Sequence, residues 1–240
     1  MGDIQEEVLE KITGVDILKT FESEIVERTF RSAIEKLGKV LGGAPSPSGI
    51  MDIVIGNEAG GTIIHEAVGH GLEADLQNSS VYKGKIGEKV AHQSVTVIDD
   101  PTRPNLRGFY VVDHEGNPAQ KTYLIKDGIL VSYMHHNKSA ELFGVSSTGH
   151  GRRESYAYTT LVRMGSTYLE AGNEKKEDLI ARVKDGIYVA QMGGGQVNTV
   201  TGDFVFKVIY GYRIRDGMLA EVIRGANISG NGPAMLMDIE

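Results

Sequence analysis

The sequence contains no cysteine among its 240 residues. A disulfide framework is therefore excluded, and no thiolate is available to bind a metal ion or to attack a substrate. No apolar run reaches the roughly 18 residues that a membrane-spanning helix needs. The first residues, Met1 to Lys11, are acidic and amphipathic, and they lack the basic start and the apolar stretch of a signal peptide. These absences predict a cytoplasmic protein without a membrane span.

Basic residues are outnumbered by acidic residues, and proline is scarce. The formal net charge is −7 and the sequence pI is about 5.6. Because nucleic-acid-binding domains usually carry a basic patch, this balance argues against nucleic acid as a partner. The chain has 6 prolines and 31 glycines, and the glycines cluster in turns and triplets. This distribution indicates a β-rich protein with tight connections rather than a flexible linker.

The N-terminal part of the chain carries the clearest helical pattern. Between Val26 and Leu41, apolar residues recur at spacings of three and four with charged residues between them. The glycine pair at 42–43 should end this helix, and residues 44–49 are the best candidate for a linker. We therefore expect an N-terminal helical segment, residues 1–45, and a β-rich domain, residues 46–240.

The rest of the chain has mostly the pattern of short β-strands. Segments 122–130 and 212–219 both consist of a strand, an Asp-Gly pair and a second strand. Asp-Gly supplies the positive φ angles of a tight hairpin. We expect a further strand at 108–112, a helix at 175–184 capped by Asn173, and turns in the last 20 residues. The predicted fold class is α+β: a mainly antiparallel β domain with hairpins that carries a helix from about Thr62.

The strongest chemical signal lies in that helix. Residues 63–71 read Ile-Ile-His-Glu-Ala-Val-Gly-His-Gly. Neutral imidazole is a favoured zinc ligand, and a carboxylate beside a metal site can act as a general base. The sequence therefore predicts His65 and His70 as zinc ligands and Glu66 as the catalytic base. The alternative is a buried helix with two incidental histidines.

The spacing of the two histidines sets a geometric condition. They are five residues apart, so on a straight helix their side chains would point about 140° apart. Two ligands of one ion cannot be arranged in this way, and the helix must bulge or stop between them. A single π-turn is one specific solution, and Gly69 and Gly71 could tolerate the unusual backbone.

A catalytic zinc site also needs a third protein ligand. Sequence spacing selects none of the candidates, which are Glu73, Asp75, His92, His114 and His150. Glu73 is interpreted first as an ordinary surface carboxylate. A ligand, or a hydrogen-bond partner of a ligand, are the alternatives that remain open.

Three further groups are weaker candidates. The pair His135-His136 is expected at the surface rather than in a site. Arg152 and Arg153 lie in a flexible, charged segment that could bind a carboxylate or a carbonyl, although an ordinary charged loop is the favoured interpretation. The glycine triplet 193–195 is interpreted as backbone that another chain approaches closely. Arg152, Arg153, Gly194 and Gly195 are thus weak candidates for binding substrate.

The segment from His65 to Glu73 resembles the His-Glu-x-x-x-His motif of the TldD/PmbA metallopeptidases, and in particular of the TldD branch. The resemblance continues through Gly-Arg-Arg-Glu-Ser-Tyr at 151–156, the glycine triplet with Gln196 and Val197, and Arg-Gly-Ala at 224–226. It covers residues 25–237. The chain therefore resembles the C-terminal catalytic region of this family.

This resemblance implies a cytoplasmic zinc peptidase that cuts unfolded or flexible peptides, with His65, His70 and Glu66 in the roles given above. It also implies a homo-dimer, or a heterodimer with a PmbA-like subunit, and substrate bound as an added β-strand. Family members are longer and take their third zinc ligand from a cysteine that this chain lacks. The chain is therefore expected to be truncated, and the alternative function is a non-catalytic module that binds a peptide or a partner by strand addition.

Overall fold

The computed structural model describes residues 6–8, 10–12 and 17–240, without the side chains of Ile17, Gln77 and Asn78. The chain divides into two compact units. The first comprises Met1–Gly60, Asn173–Gly195 and Val205–Ile228, and the second comprises Gly61–Gly172, Gln196–Phe204 and Ser229–Glu240. The division into residues 1–45 and 46–240 stays a prediction. Within the described residues, no helix combines the length and the hydrophobicity that a membrane span needs.

Helices and strands are interleaved along the chain. The α-helices are α1 (Ile17–Thr20), α2 (Ser23–Gly42), α3 (Asn57–Ile64), α4 (Asn137–Phe143), α5 (Lys176–Arg182) and α6 (Gly232–Met237). The strands are β1 (Ala44–Pro45), β2 (Asp52–Ile55), β3 (Val97–Asp99), β4 (Thr122–Lys126), β5 (Ile129–Leu130), β6 (Gly151–Arg152), β7 (Leu161–Val162), β8 (Thr167–Leu169), β9 (Asp185–Val197), β10 (Asp203–Arg215), β11 (Met218–Arg224) and β12 (Asn227–Asn231).

The largest sheet has the strand order β1-β11-β10-β9-β2, and β12 pairs with β10. Strands β1 and β11 run parallel, as do β2 and β9, whereas β10 and β11 are antiparallel. In the first unit, a buried apolar cluster joins helix α5 to this sheet through Ile180, Val183, Tyr188 and Ile214. Burial of these side chains supplies the favourable hydrophobic free energy that holds α5 on the sheet.

The second unit contains an antiparallel sheet with the order β5-β4-β3-β8. Ile98, Leu124, Ile125 and Leu130 from its strands are completely buried. A short antiparallel pair, β6 and β7, accompanies this sheet. The observed architecture confirms the predicted α+β class.

Both predicted hairpins are confirmed. Strands β4 and β5 pair around Asp127 and Gly128, which have φ angles of 50° and 81°. Strands β10 and β11 pair around Asp216 and Gly217, with φ angles of 46° and 76°. Two consecutive positive φ angles are typical of a type I′ turn, whose twist matches that of the flanking strands.

The predicted helices are present with different ends. Helix α2 contains the periodic stretch and ends at Gly42, but Phe30 and Ile34 are more than half exposed. The motif helix begins at Asn57 rather than near Thr62, so Gly60 and Gly61 lie inside the helix. Helix α5 starts after Lys175, not after Asn173, and its N-cap makes no side-chain hydrogen bond.

Two expectations about strands and turns are wrong. Residues 108–112 form no strand, and only Val112 makes an isolated bridge, to Pro118. The end of the chain forms β12 and α6 rather than turns alone. Asn231 caps α6 because its side chain accepts a hydrogen bond from the backbone N–H of Ala234 at 3.3 Å.

Candidate metal centre

A π-helical turn brings the two motif histidines together. Helix α3 continues into a π-turn, His65–Gly69, followed by a 3₁₀ turn, His70–Leu72. The backbone N–H of His70 donates to the carbonyl oxygen of His65, five residues earlier. This wider turn returns residues five apart to the same face. The ring centroids of His65 and His70 are 4.9 Å apart, so the predicted interruption of the helix is confirmed.

The two glycines of the motif are required by close packing. Gly69 has ordinary helical angles, φ −57° and ψ −51°. A Cβ atom on Gly69 would collide with the sulfur of Met164, and one on Gly71 would lie 2.8 Å from the Tyr82 ring. The expectation that these glycines relax the backbone is therefore replaced by a packing requirement at both positions.

The donor set at this turn fits a zinc ion. Ligand atoms of His65, Glu66 and His70 all lie within 4.8 Å of one another. Nε2 of His70 is 3.7 Å from Oε2 of Glu66. Two imidazoles and a neighbouring carboxylate on a partly exposed face are the combination found in catalytic zinc sites. Among the described residues, no third histidine, aspartate or further glutamate joins this group.

Glu73 contacts His70 through Nδ1, the ring nitrogen that does not face Glu66. Its Oε2 lies 3.0 Å from Nδ1 of His70 and accepts a second hydrogen bond, at 3.2 Å, from Nη1 of Arg163. The side chain of Glu73 is completely buried. The interpretation of Glu73 as a surface carboxylate is therefore wrong, and the alternative as partner of His70 is the one observed. Arg163 was missed because no local pattern connects it to a motif 90 residues away.

The two histidines have different electrostatic environments. The hydrogen bond that His70 makes to the carboxylate of Glu73 is the main cause that raises the pKa of His70 above its usual value. Burial, followed by the proximity of His70, lowers the pKa of His65. A lowered pKa favours neutral imidazole, which is the form that binds metal.

His150 is enclosed in the core and does not reach the cluster. Its Nε2 lies 3.0 Å from Oδ1 of Asp99, and its Nδ1 lies 2.8 Å from the hydroxyl of Thr148. Both His150 and Asp99 are completely buried. Because both ring nitrogens are already engaged, His150 is not available as a metal ligand in this arrangement.

The expectation that His135 and His136 lie at the surface is wrong, since only 3% and 6% of these residues are exposed. His136 is the N-cap of α4, and its side chain accepts a hydrogen bond from the backbone N–H of Ser139. Nδ1 of His135 lies 3.2 Å from the Ser139 hydroxyl. Both histidines are thus part of the packing around the start of α4.

The other ligand candidates are engaged elsewhere. Oδ2 of Asp75 accepts a hydrogen bond from the backbone N–H of Val162. The ring of His92 lies 2.8 Å from the hydroxyl of Ser94. Nδ1 of His114 accepts from a backbone N–H at 2.8 Å. The structure gives each of these side chains a local structural partner.

The weak candidates for substrate binding are spread over different elements. Arg152 donates to the carbonyl oxygen of Met164 at 3.1 Å, and Arg153 lies exposed beside it. Gly195 lies in β9, where a Cβ atom would collide with Phe206 of β10. At Gly194 no described heavy atom beyond its chain neighbours comes within 4 Å of such a Cβ. Close approach of another strand therefore explains Gly195, and Gly194 faces open space.

Comparison with known proteins places these features in a family. The family described as PmbA/TldA metallopeptidase C-terminal domain matches residues 48–240. A Haemophilus influenzae protein named metalloprotease TldD homolog is 46% identical over 201 residues, which cover 83% of this chain and 42% of the relative. An Archaeoglobus fulgidus metalloprotease is 36% identical over 232 residues, covering 96% of this chain and 53% of the relative.

A solved structure gives the same result. The crystal structure of TldE from Thermococcus kodakarensis matches with a TM-score of 0.76 and 25% identity, over 88% of this chain and 48% of that chain. The chain thus spans about half the length of the relatives it matches. The family match, residues 48–240, contains the π-turn and both of its histidines. The chain therefore belongs to the PmbA/TldA metallopeptidase family.

Proposed function

We propose that this chain is the catalytic region of a zinc-dependent peptidase that cleaves unfolded or flexible peptides. The observation that carries the proposal is the π-turn, which brings His65 and His70 together beside Glu66. Without that turn, the motif would present its two histidines on different faces of a helix. Relatives named metalloproteases support the reaction class.

The three side chains have separate roles in this proposal. His65 and His70 would hold the ion through ring nitrogens, and Nε2 of His70 is the nitrogen that faces Glu66. Zinc held there would supply Lewis-acid chemistry, which polarises the peptide carbonyl and activates water for attack. Glu66 takes a proton from the attacking water and donates it to the amine that leaves.

Peptide binding and assembly are part of the same proposal. A substrate bound as an added β-strand is read through its backbone, which suits flexible peptides of varied sequence. The open space at Gly194 is consistent with such a strand, and Arg152, Arg153 and Gly195 stay weak candidates for contacts with it. The likeness to a TldE structure supports a PmbA-like partner, with a homo-dimer as the other arrangement. We place the protein in the cytoplasm, without a nucleic-acid partner.

A second function is favoured by the incomplete ligand set. The described cluster holds two histidines, and the sequence supplies no cysteine to complete it. A site with fewer protein ligands binds zinc more weakly, because each coordinating group contributes to the free energy of binding. The chain would then bind a peptide or a partner by strand addition, without cleaving it.

Zinc binding and cleavage of an unstructured, fluorescently labelled peptide separate these functions. We expect stoichiometric zinc in the purified chain and cleavage that depends on it. Glu66→Gln should retain zinc and lose at least about 100-fold in kcat, since general-base catalysis contributes this much. Glu141→Gln is the matched control, an exposed glutamate on α4. Equal activity of Glu66→Gln and the control would reject the peptidase role, and peptide binding without zinc or turnover would favour the binding module.

A further inference from the structure

The carboxylate of Glu73 lies in an environment where burial of a charge is energetically unfavourable. Its side chain is completely buried, and its Oε1 has no hydrogen-bond partner among the described residues. Burial of a carboxylate removes it from water at a large cost in free energy, and apolar residues of similar volume often replace buried ion pairs without loss of stability. Stability alone therefore does not explain a glutamate at this position.

The position of this carboxylate is fixed by the backbone on both sides. Glu73 follows the 3₁₀ turn and forms an isolated bridge with Met134. The backbone N–H of Met134 donates to Leu72 at 2.9 Å, and that of Ala74 donates to Met134 at 3.0 Å. The Glu73 side chain thus extends from a backbone segment that is hydrogen-bonded on both sides. These hydrogen bonds define where its carboxylate lies relative to the ring of His70.

The contacts of Glu73 select one form of His70. Oε2 of Glu73 accepts from Arg163 and lies 3.0 Å from Nδ1 of His70, and with Oε2 as the acceptor of this second contact Nδ1 carries the shared proton. The lone pair is then left on Nε2, the nitrogen that faces Glu66. Arg163 donates to the same Oε2 and supplies the charge that balances the buried carboxylate.

We propose that Glu73, supported by Arg163, is the positioning residue that fixes the ring and tautomer of His70 so that Nε2 is directed to the metal. This inference rests on the proposed zinc site and adds two residues to it. A carboxylate behind a histidine ligand orients the ring and increases its basicity, and loss of such a partner usually weakens metal binding by about 10 to 100-fold.

The tautomer can be observed directly in the metal-free wild-type chain by long-range ¹H–¹⁵N NMR of the imidazole rings in mildly alkaline buffer. We expect the Nδ1–H form of His70. This measurement needs no variant, so it does not depend on whether a substitution disturbs folding. An Nε2–H form would overturn the proposal.

Zinc affinity, measured by competition with a chelator, supplies the second test. Glu73→Gln should raise the Kd for zinc about 10-fold or more and give a mixture of His70 tautomers. Arg163→Gln should produce a smaller rise, and Glu141→Gln on exposed α4 should produce none. An unchanged Kd in Glu73→Gln overturns the positioning role.

The two proposals fail in different ways. Zinc binding that His65→Ala abolishes and Glu73→Gln leaves unchanged would keep the zinc site and reject the role of Glu73. Absence of zinc binding in the wild-type chain would reject the peptidase. In that case an Nδ1–H tautomer that is lost in Glu73→Gln would still support the control of His70 by Glu73.

Discussion

The second unit contains two histidine–carboxylate pairs with the same separation between their hydrogen-bonded atoms but with different solvent exposure of the histidine. His70 and Glu73 are 3.0 Å apart, and so are His150 and Asp99. In both pairs the carboxylate is completely buried. The side chain of His70 is 29% exposed, whereas that of His150 is completely buried. The comparison indicates that a histidine–carboxylate hydrogen bond alone does not identify a functional site. The accessibility of the second ring nitrogen determines whether the histidine can bind a ligand.

The carboxylates differ as much as the histidines do. Asp99 accepts hydrogen bonds from the backbone N–H of Gly165 at 3.1 Å and from the hydroxyl of Thr167, in addition to its contact with His150. Glu73 leaves one oxygen without a partner among the described residues. Asp99 therefore connects strand β3 to the segment around β8, which is a structural role. Glu73 has fewer hydrogen-bond partners to offset its burial. Its contact with His70 explains a glutamate at this position better than a structural role does.

The largest effect on stability is expected when the structural pair is broken. Asp99→Asn should lower the free energy of unfolding by about 3 kcal/mol, because an amide cannot accept all the hydrogen bonds that the buried carboxylate receives. Urea unfolding followed by circular dichroism measures this loss. The Kd for zinc of the folded fraction should not change. A loss below about 1 kcal/mol would contradict the structural role, and a raised Kd for zinc would connect this pair to the metal site.

The buried His135 extends the comparison because no carboxylate of the described residues is its hydrogen-bond partner. Burial, together with the neighbouring His136 and His150, lowers the pKa of His135 to about 4. The unfolded chain therefore binds this proton first as the pH falls below the usual value of 6.5. The stability that neutral His135 contributes is complete above that value, declines between it and the folded pKa, and is lost once the pH has fallen through the folded pKa.

This pH dependence can be isolated with one substitution. Acidification from pH 6.5 to pH 4, the two values that bound the shift of His135, should cost about 2.5 kcal/mol through this group, since each pH unit between the two pKa values costs up to about 1.4 kcal/mol and less near either value. His135→Gln should flatten this part of the stability–pH curve. Chemical denaturation at several pH values gives the curves. Parallel curves for His135→Gln and the wild type would contradict the assignment.

The parts that were predictable from the sequence are local. The turn at His65–Gly69 followed from a five-residue spacing that a straight helix cannot accommodate. The hairpins followed from Asp-Gly pairs, whose φ preferences do not depend on distant residues. Both patterns contain their own physical cause within a few positions of the chain.

The supporting contacts were not predictable because they join residues that are far apart in the sequence. Arg163 and Glu73 are separated by 90 positions, and His150 and Asp99 by 51. Burial of His135 likewise depends on how strands and helices pack, which a polar pair of residues does not reveal. Sequence patterns thus located the candidate metal ligands, and only the fold identified Glu73 and Arg163 as the residues in contact behind one of them.

The smallest effect on stability, and the sharpest contrast with Asp99, is expected from Glu73→Met. Methionine fills a similar volume without a buried charge, and Arg163 is 47% exposed and can be solvated by water. The free energy of unfolding should therefore stay the same or rise by about 1 kcal/mol, while the Kd for zinc increases about 10-fold or more. Urea unfolding and chelator competition on the same preparation measure both. A protein that is destabilised by several kcal/mol and binds zinc normally would show that Glu73 serves the fold, as Asp99 does, and that the two pairs do not differ in function.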